Sequence, residues 1–219
     1  MSKPPSKLPR VPPGTRERLV YAARRVLEEG GYAAASVQAI TDRAGVTASA
    51  LYRHFASKAG LFVEVFRDAA TRGQEAMDEA AASGGHIERL EAAVATAARR
   101  ALRNRRLAWA LEYEPVEPLV DAERMVHRRE YCRRMTSLLR RGIEADEIPE
   151  QDAELSAAAL MGAIAESLIG PLSPITEQHV SDEEVVAALV RFCRQAIGAP
   201  DEAAFRETPA STAGRKAIQ

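Results

Sequence analysis

Apolar side chains recur at intervals of three and four residues along most of the chain, the spacing that places them on one face of an α-helix. Between residues 86 and 197 no segment alternates apolar and polar positions as a half-buried strand does. The pattern predicts an all-α fold with breaks at glycine, proline and asparagine positions. The predicted helices run from Thr15 to Gly30, Ser36 to Ala44, Thr47 to Phe55, Ser57 to Ala82, His86 to Leu102, Leu107 to Tyr113, Leu119 to Ala145, Asp152 to Leu168 and Asp182 to Ile197.

The stretch from Ser36 to Lys58 has the pattern of two short helices joined at a glycine. Ser36 and Thr47 can accept hydrogen bonds from the exposed N–H groups of a first helical turn, and Gly45 can end the first helix because glycine tolerates a positive φ. The predicted inner positions are Val37, Ile40 and Ala44 on the first helix and Leu51 and Phe55 on the second. The predicted outer positions of the second helix are Ala48, Ser49, Ala50, Tyr52, Arg53 and His54.

This outer face has the layout of a helix that enters a DNA major groove: small residues come first, and longer side chains that reach phosphates follow. The glycine turn by itself favours a plain structural hairpin. The segment L-Y-R-H-F-A-S-K at residues 51–58 changes that interpretation, because it interleaves an apolar pair with an aromatic residue, a histidine and a lysine. With this segment the chain resembles the DNA-binding head of the TetR family of bacterial transcriptional regulators over about residues 14–66.

The resemblance implies a three-helix helix-turn-helix DNA-binding domain at the N-terminus, followed by a larger helical ligand-binding and dimerisation domain. By motif alignment it implies contacts to phosphates and DNA backbone from Ser36, Thr47, Tyr52, His54 and Lys58, and contacts to base edges from Gln38, Ala48, Ser49 and Ala50. A glutamine can pair with adenine, and a small apolar side chain can touch a thymine methyl group. The chain departs from the commonest family pattern near Ser49, which lacks a neighbouring Gly or Pro, and near Ala59, which lacks an acidic neighbour. These departures leave the operator sequence undetermined.

The charge distribution supports a head that binds a polyanion. Residues 1–66 carry ten Lys and Arg against five Asp and Glu, whereas the remainder of the chain is acidic. The first 14 residues contain five prolines and three basic residues, so they are expected to be a disordered basic arm that either follows the DNA or only solubilises the protein. The expected organisation is this arm at 1–14, the DNA-binding domain at 15–66, a ligand-binding and dimerisation domain at 67–197, and a disordered tail at 198–219.

Two helices near the C-terminus have surfaces suited to self-association. The segment Asp152 to Leu168 is rich in alanine and glycine, and Asp182 to Ile197 has an apolar surface broader than one helix partner requires. Together they suit a four-helix bundle between two subunits, and a core within a single chain is the alternative. Family members dimerise through their last helices, so the resemblance also implies a homodimer that binds double-stranded DNA at a palindromic operator.

The resemblance further implies that the helical body encloses a pocket for a small-molecule effector. The candidate lining residues are Trp109, Tyr113, Tyr131, Met135 and Met161, with His127 and Glu112 as possible polar groups. An aromatic pair at i and i+4 beside a proline indicates a pocket wall, although such a pair is also common in a plain core. Two arginine-rich runs, at residues 99–106 and 124–134, either serve an anionic ligand or form solvated helix faces.

No catalytic or metal-binding motif is found in the sequence, so neither an enzyme nor a cofactor is expected. Two distant cysteines, and the absence of a signal peptide or an 18-residue apolar stretch, predict a cytoplasmic protein that does not associate with membranes. The sequence thus predicts a repressor released from its operator by an effector. The alternatives are a helical ligand-binding protein or enzyme whose head contacts other proteins, and a DNA-binding activator without an effector.

Overall fold

The computed structural model describes residues 14–175 and 180–199, and these ranges fold into nine helices without a strand. The helices are α1 (Thr15–Ala34), α2 (Val37–Ala44), α3 (Ala48–His54), α4 (Lys58–Ala80), α5 (His86–Arg103), α6 (Arg105–Glu112), α7 (Pro118–Glu144), α8 (Ala153–Leu172) and α9 (Asp182–Ala196). The all-α prediction is confirmed. Nearly all of the predicted arm and tail lie outside the described residues.

The helices begin where side chains can satisfy their first N–H groups. Ser36, Thr47, Ser57 and Ser181 each accept a hydrogen bond from the N–H three residues ahead, at 3.0 to 3.3 Å. The exceptions are α1, α5 and α7, whose N-cap residues Gly14, Gly85 and Glu117 accept no such side-chain hydrogen bond. Short-range capping therefore explains most of the helix starts.

Gly45 forms the turn between α2 and α3. Its φ of 65° and ψ of 41° are left-handed, and its N–H donates to the carbonyl of Asp42 at 3.2 Å. The following N–H, that of Val46, donates to the carbonyl of Thr41 at 3.1 Å, which closes the end of α2. The turn holds the two short helices in a fixed angular relation.

The predicted end of the eighth helix at Leu168 comes too early, because α8 continues through Pro171 to Leu172. Proline removes one helical N–H donor, but here it stands in the last turn, where one lost bond is tolerated. Leu172 is buried, and Ser173 closes the helix by donating to the carbonyl of Ile169 at 2.9 Å. Burial of the last apolar residue explains why the helix outlasts the proline.

Helix α8 also corrects the expectation that no stretch of the chain is long and apolar enough to cross a membrane. By length and composition it qualifies, with a mean hydropathy of 1.5, yet only 28% of that window is buried within the subunit. Leu155 on this helix is 68% exposed, and Phe192 on α9 is 48% exposed. The subunit therefore presents an apolar surface on its last two helices.

Two apolar cores divide the molecule, and α6 contributes to both. The head core joins α1, α2, α3 and the start of α4, and Leu107 and Ala110 of α6 pack into it. The body core joins α5, α7, α8 and α9, and Trp109 and Tyr113 pack against it. Helix α6 therefore lies between the two cores, and a displacement of α6 affects both.

Removing the hydroxyl that caps α4 tests the contribution of these local interactions. The Ser57→Ala variant loses the acceptor for the N–H of Gly60, which lies 3.0 Å from the Ser57 Oγ. We expect the free energy of unfolding to fall by about 1 kcal/mol, the usual cost of losing an N-cap. Urea denaturation of both proteins measures it, and an unchanged midpoint would show that the cap does not stabilise α4.

Candidate functional site

The outer surface of α3 presents most of the side chains that the sequence assigned to it. Thr47, Ala48, Ser49 and His54 are exposed, and Tyr52 is 53% exposed although it is a large aromatic residue. Ala50 does not lie on this surface, because it is only 6% exposed. The predicted outward position of Ala50 is therefore wrong.

Polar side chains of α2 flank this surface and are already engaged. The exposed Gln38 donates from Nε2 to Asp42 Oδ1 at 2.6 Å, so pairing with a base requires that this bond open. Arg43 forms a bidentate pair with Glu29, with both distances at 2.6 Å. Ser36 is exposed, and its hydroxyl already caps α2.

Lys58 lies at the start of α4, where it touches both the head and the body. Its Nζ lies 4.8 Å from the ring centre of Tyr32 and 5.7 Å from that of Phe62, so the ammonium rests on two aromatic faces. The same atom lies 3.7 Å from Oε1 of Glu117, at the start of α7. A phosphate that binds Lys58 would compete with a carboxylate of the body.

A cluster of backbone and charged groups joins the end of α1 to the loop after α6. We call this cluster the head–body junction; its members are Gly30, Gly31, Tyr32, Arg106 and Glu114. Glu114 accepts from the N–H of Tyr32 at 2.5 Å and pairs with Arg106. Arg106 Nη2 also donates to the carbonyl of Gly30 at 2.9 Å. Gly31 has a φ of 72°, and a Cβ on it would overlap the Arg106 guanidinium. The junction therefore requires a glycine at this position.

A cavity of about 450 Å³ lies in the body between α4, α5, α6, α7 and α8. Its wall is mostly apolar and includes three methionines, a composition typical of a small-molecule site. Four of the five predicted ligand residues line it: Tyr113, Tyr131, Met135 and Met161. Trp109 does not line it, because its ring packs on the body core, 5.1 Å from the ring of Tyr113.

Several wall residues escaped the sequence analysis. They are apolar side chains from the four helices α4, α5, α6 and α8, including Met77, Val94, Leu107, Leu111, Ile164, Leu168 and Leu172. Helical periodicity does not distinguish a filled core from the wall of a cavity. His127 lines the cavity as well, with its ring stacked on Phe66 at 5.7 Å and its Nε2 3.1 Å from Glu123 Oε1.

Some polar groups of the cavity are committed to the protein backbone. The Tyr113 hydroxyl donates to the carbonyl of Ala165 at 2.6 Å, and the Tyr131 hydroxyl donates to that of Ala70 at 3.2 Å. Burial raises the pKa of each phenol to about 12, so both remain donors at neutral pH. Arg124 donates to the carbonyl of Leu111 at 2.7 Å. These groups shape the wall and have little capacity left for a ligand.

Other polar groups of the cavity have no hydrogen-bond or ion-pair partner in the part of the chain that the structure describes. Arg100, Arg103 and Arg128 are three such groups, and Glu112, the last residue of α6, is the fourth. Glu112 is exposed where it lines the cavity, although many protein atoms lie near its carboxylate. Burial raises its pKa, against the opposing effect of the positive charges of Arg124 and Arg128. The cavity thus offers three unpaired cations and one unpaired carboxyl group.

A second concavity is less suited to a ligand. It has about 460 Å³, lies between α5 and α9, and is open to solvent. Its charged residues Arg99 and Glu183 pair with each other at 2.9 Å. Across the described ranges, no group of three or more His, Cys, Asp or Glu side chains has an arrangement that fits a metal ion.

Comparisons with known proteins identify both parts of the chain. The family described as "Bacterial regulatory proteins, tetR family" matches residues 19–65, and the one described as "Tetracyclin repressor-like, C-terminal domain" matches residues 83–168. The transcriptional repressor KstR of Mycobacterium tuberculosis is 31% identical over 121 residues, which are 49% of this chain and 55% of KstR. The chain thus spans about half of the length of this curated relative.

Two solved structures are similar over most of their length. A regulator of the TetR/AcrR family from Thermobifida fusca has a TM-score of 0.65 and 27% identity, covering 81% of this chain and 95% of that one. The regulator FadR of Bacillus subtilis, solved in complex with stearoyl-CoA, has a TM-score of 0.70 and 20% identity, covering 82% and 98%. The second likeness establishes the shared fold.

Proposed function

Because the chain belongs to the TetR family of bacterial regulatory proteins, we propose that it is a homodimeric repressor that leaves a palindromic operator when a small molecule fills its cavity. The observation that carries the proposal is the spatial link between the two sites. Glu112, at the end of α6, lines the cavity. Glu114, two residues later, accepts a hydrogen bond from the N–H of Tyr32 in the head. A repressor of this kind catalyses no reaction. Because it binds bacterial DNA, we expect the protein in the cytoplasm.

The exposed face of α3 supports the DNA-binding part of the proposal. Small side chains at Ala48 and Ser49 allow the helix to approach base edges, while Tyr52, His54 and Lys58 stand where phosphates would pass. Helix α3 has only seven residues, and the buried Leu51 and Phe55 anchor it to the head core. A short helix fixed in this way can carry its exposed residues into a groove as a rigid unit.

The apolar surface of α8 and α9 supports the proposed dimer. A helix with the composition of a core helix and an exposed Leu155 is stabilised when a second copy covers it. A two-fold dimer presents two α3 helices, which must stand about 34–36 Å apart to reach successive major grooves. The distance between the two heads is therefore the quantity that an effector must change.

The cavity supports an effector that has an apolar body and an anionic group. Its methionine and leucine side chains suit an acyl chain, and the unpaired Arg100, Arg103 and Arg128 suit a carboxylate or phosphate. Stearoyl-CoA, the ligand of the structurally similar FadR, has this chemistry. We propose a fatty acid or its thioester as the effector class.

The path from cavity to head runs through α6 and the loop that follows it. A ligand that pushes on Leu107 or Leu111 displaces a helix that also packs into the head core. To shift operator binding about a hundredfold, the effector must bind the DNA-incompetent state more tightly by roughly 3 kcal/mol. The Arg106–Glu114 ion pair and the two hydrogen bonds of the junction can transmit such a preference.

Substitutions on the DNA face test the proposed contacts. We expect Tyr52→Ala and Lys58→Ala each to weaken operator binding, by roughly tenfold at low salt, because each variant lacks one proposed backbone contact per half-site. For Lys58→Ala, the slope of log affinity against log salt should fall by about two, one for each protomer. Gel shifts at several salt concentrations measure both effects.

The matched control for this test is Arg133→Ala, which removes an exposed cation on α7 in the body. It should leave operator affinity and its salt slope unchanged. Wild-type affinity in both head variants would refute the assigned DNA face.

Selection of bound genomic fragments tests the function as a whole. A repressor of this type should enrich a palindrome, and tetradecanoyl-CoA should release the protein from it. Enrichment of a palindrome without release by any acyl compound would favour an activator or a regulator without an acyl effector. Failure to enrich DNA in competition with nonspecific fragments would favour the alternative that the head contacts other proteins.

A further inference from the structure

We infer that Glu112 is the specificity-determining residue of the cavity and that it selects effectors carrying an O–H or N–H donor between their anionic group and their apolar body. The inference rests on the proposed function, because it assigns a chemical feature to the ligand of the same site. It adds a requirement that a plain acyl anion does not meet.

The position of Glu112 in the cavity carries the inference. It is the last residue of α6, and its carboxylate opens onto the cavity together with Tyr113 and Tyr131. Both phenol hydroxyls donate to backbone carbonyls, so neither serves Glu112. The nearby Arg124 donates to the carbonyls of Leu111 and Glu114, at 2.7 and 3.1 Å. The hydrogen bonds of these three neighbouring residues are therefore directed to backbone carbonyls and away from Glu112.

Glu112 is exposed where it lines the cavity, so a ligand that fills the cavity displaces water from its carboxylate. A carboxylate that loses its water without gaining a hydrogen-bond donor raises the free energy of the complex. Glu112 makes no ion pair or hydrogen bond to the described residues, although Arg128 is near enough to affect its titration. A ligand that donates a hydrogen bond supplies the missing partner, and the cavity is where such a ligand would lie.

The surrounding charges indicate which ligands can use this acceptor. Arg100, Arg103 and Arg128 are unpaired cations around the same cavity, so a ligand with a net positive charge would meet more repulsion than attraction. An amphipathic anion satisfies the arginines, and a hydroxyl or amide N–H on it satisfies Glu112. Hydroxy fatty acids and N-acyl amino acids both combine these groups.

A matched set of ligands tests the inference by calorimetry on the full-length protein. The set is tetradecanoic acid, 2- and 3-hydroxytetradecanoic acid, N-tetradecanoylglycine and tetradecylammonium. We expect at least one donor-bearing acid to bind roughly tenfold or more tightly than tetradecanoic acid, the scale of a hydrogen bond to a charged group. A preference for the hydroxy acids or for the acylglycine tells which donor is used.

Variants at Glu112 assign that preference to the residue. Glu112→Leu should abolish it and bind tetradecanoic acid at least as well as the wild type, while Glu112→Gln, which keeps an acceptor, should retain part of it. Glu150→Leu removes an exposed carboxylate of the loop before α8 and should keep the full preference. Thermal unfolding of each variant checks that the fold is intact. If the Leu variant does not fold, the partial loss of preference in the Gln variant tests the role of Glu112.

Different outcomes overturn different statements. Equal binding of all four acids by the wild-type protein overturns the role of Glu112 and leaves the acyl effector in place. Tighter binding of tetradecylammonium than of any acid also overturns it, because Glu112 would then pair with a cation. Binding of none of the five compounds overturns the proposed effector class, and the inference falls with it.

Discussion

Replacing Glu114 by alanine is expected to give a protein that binds its operator but no longer releases it when the effector binds. Glu114 joins the loop after α6 to the head, because it accepts from the N–H of Tyr32 at 2.5 Å and pairs with Arg106. Without the carboxylate, a displacement of α6 is transmitted to the head only through apolar packing. Release by effector should fall from about a hundredfold to less than about fivefold.

Operator affinity without effector should change by no more than about threefold in this variant, because Glu114 is not one of the proposed DNA contacts. Fluorescence anisotropy with labelled operator, with and without tetradecanoyl-CoA, measures both quantities. Calorimetry with the same compound shows whether the cavity still binds it. Glu150→Ala, which removes an exposed carboxylate outside the junction, should keep full release.

Two results would contradict this account of the junction. Full release by Glu114→Ala would show that coupling passes through apolar contacts such as that of Leu107 with the head core. Loss of effector binding together with release would show that Glu114 shapes the cavity instead. The predicted pattern, ligand binding without release, is specific to a residue that transmits the effect.

The parts of the fold that the sequence predicted well are those determined by neighbouring residues. Capping by Ser36, Thr47 and Ser57 and the left-handed turn at Gly45 depend on interactions within three or four positions, so the sequence records them directly. Ala50 was misplaced for the opposite reason. In a helix of seven residues, the helices that pack against it decide which side is inner; α3 packs on α1 and α2, and Ala50 is buried.

The cavity was harder to predict because its wall comes from helices far apart in the sequence. Trp109 and Tyr113 stand at i and i+4, which in a continuous helix places both on one face. Helix α6 ends at Glu112, and Tyr113 has a non-helical φ of −123° and ψ of −23°. The two rings still meet, with their centres 5.1 Å apart, but only Tyr113 reaches the cavity, whereas Trp109 packs on the core.

Because the backbone is irregular after α6, three glutamates that are close in the sequence contact different parts of the molecule. Glu112 faces the cavity, Glu114 holds the head through Tyr32, and Glu117 lies 3.7 Å from Lys58. In the sequence these three carboxylates look like one acidic loop without partners. Only the placement of α6 between the two cores separates their roles, and that placement depends on long-range packing.

Replacing Leu155 by arginine is expected to separate the dimer and to weaken operator binding by about a hundredfold to a thousandfold. Leu155 is 68% exposed on a helix whose apolar window is only 28% buried within the subunit, so a second copy is needed to cover it. A charge placed in that contact would be buried without a partner, which is strongly unfavourable. A separated protomer contacts one half-site and loses the gain from linking two.

Sedimentation velocity and operator gel shifts measure the two effects of Leu155→Arg. The control is Val126→Arg on α7, where an apolar side chain of similar exposure, 52%, lies on a helix outside the proposed interface. A dimeric Leu155→Arg protein with wild-type operator affinity would exclude this face of α8 from the contact. A monomeric Leu155→Arg protein that still binds the full operator tightly would show that one head suffices for operator binding. The spacing between two heads would then not be what the effector controls.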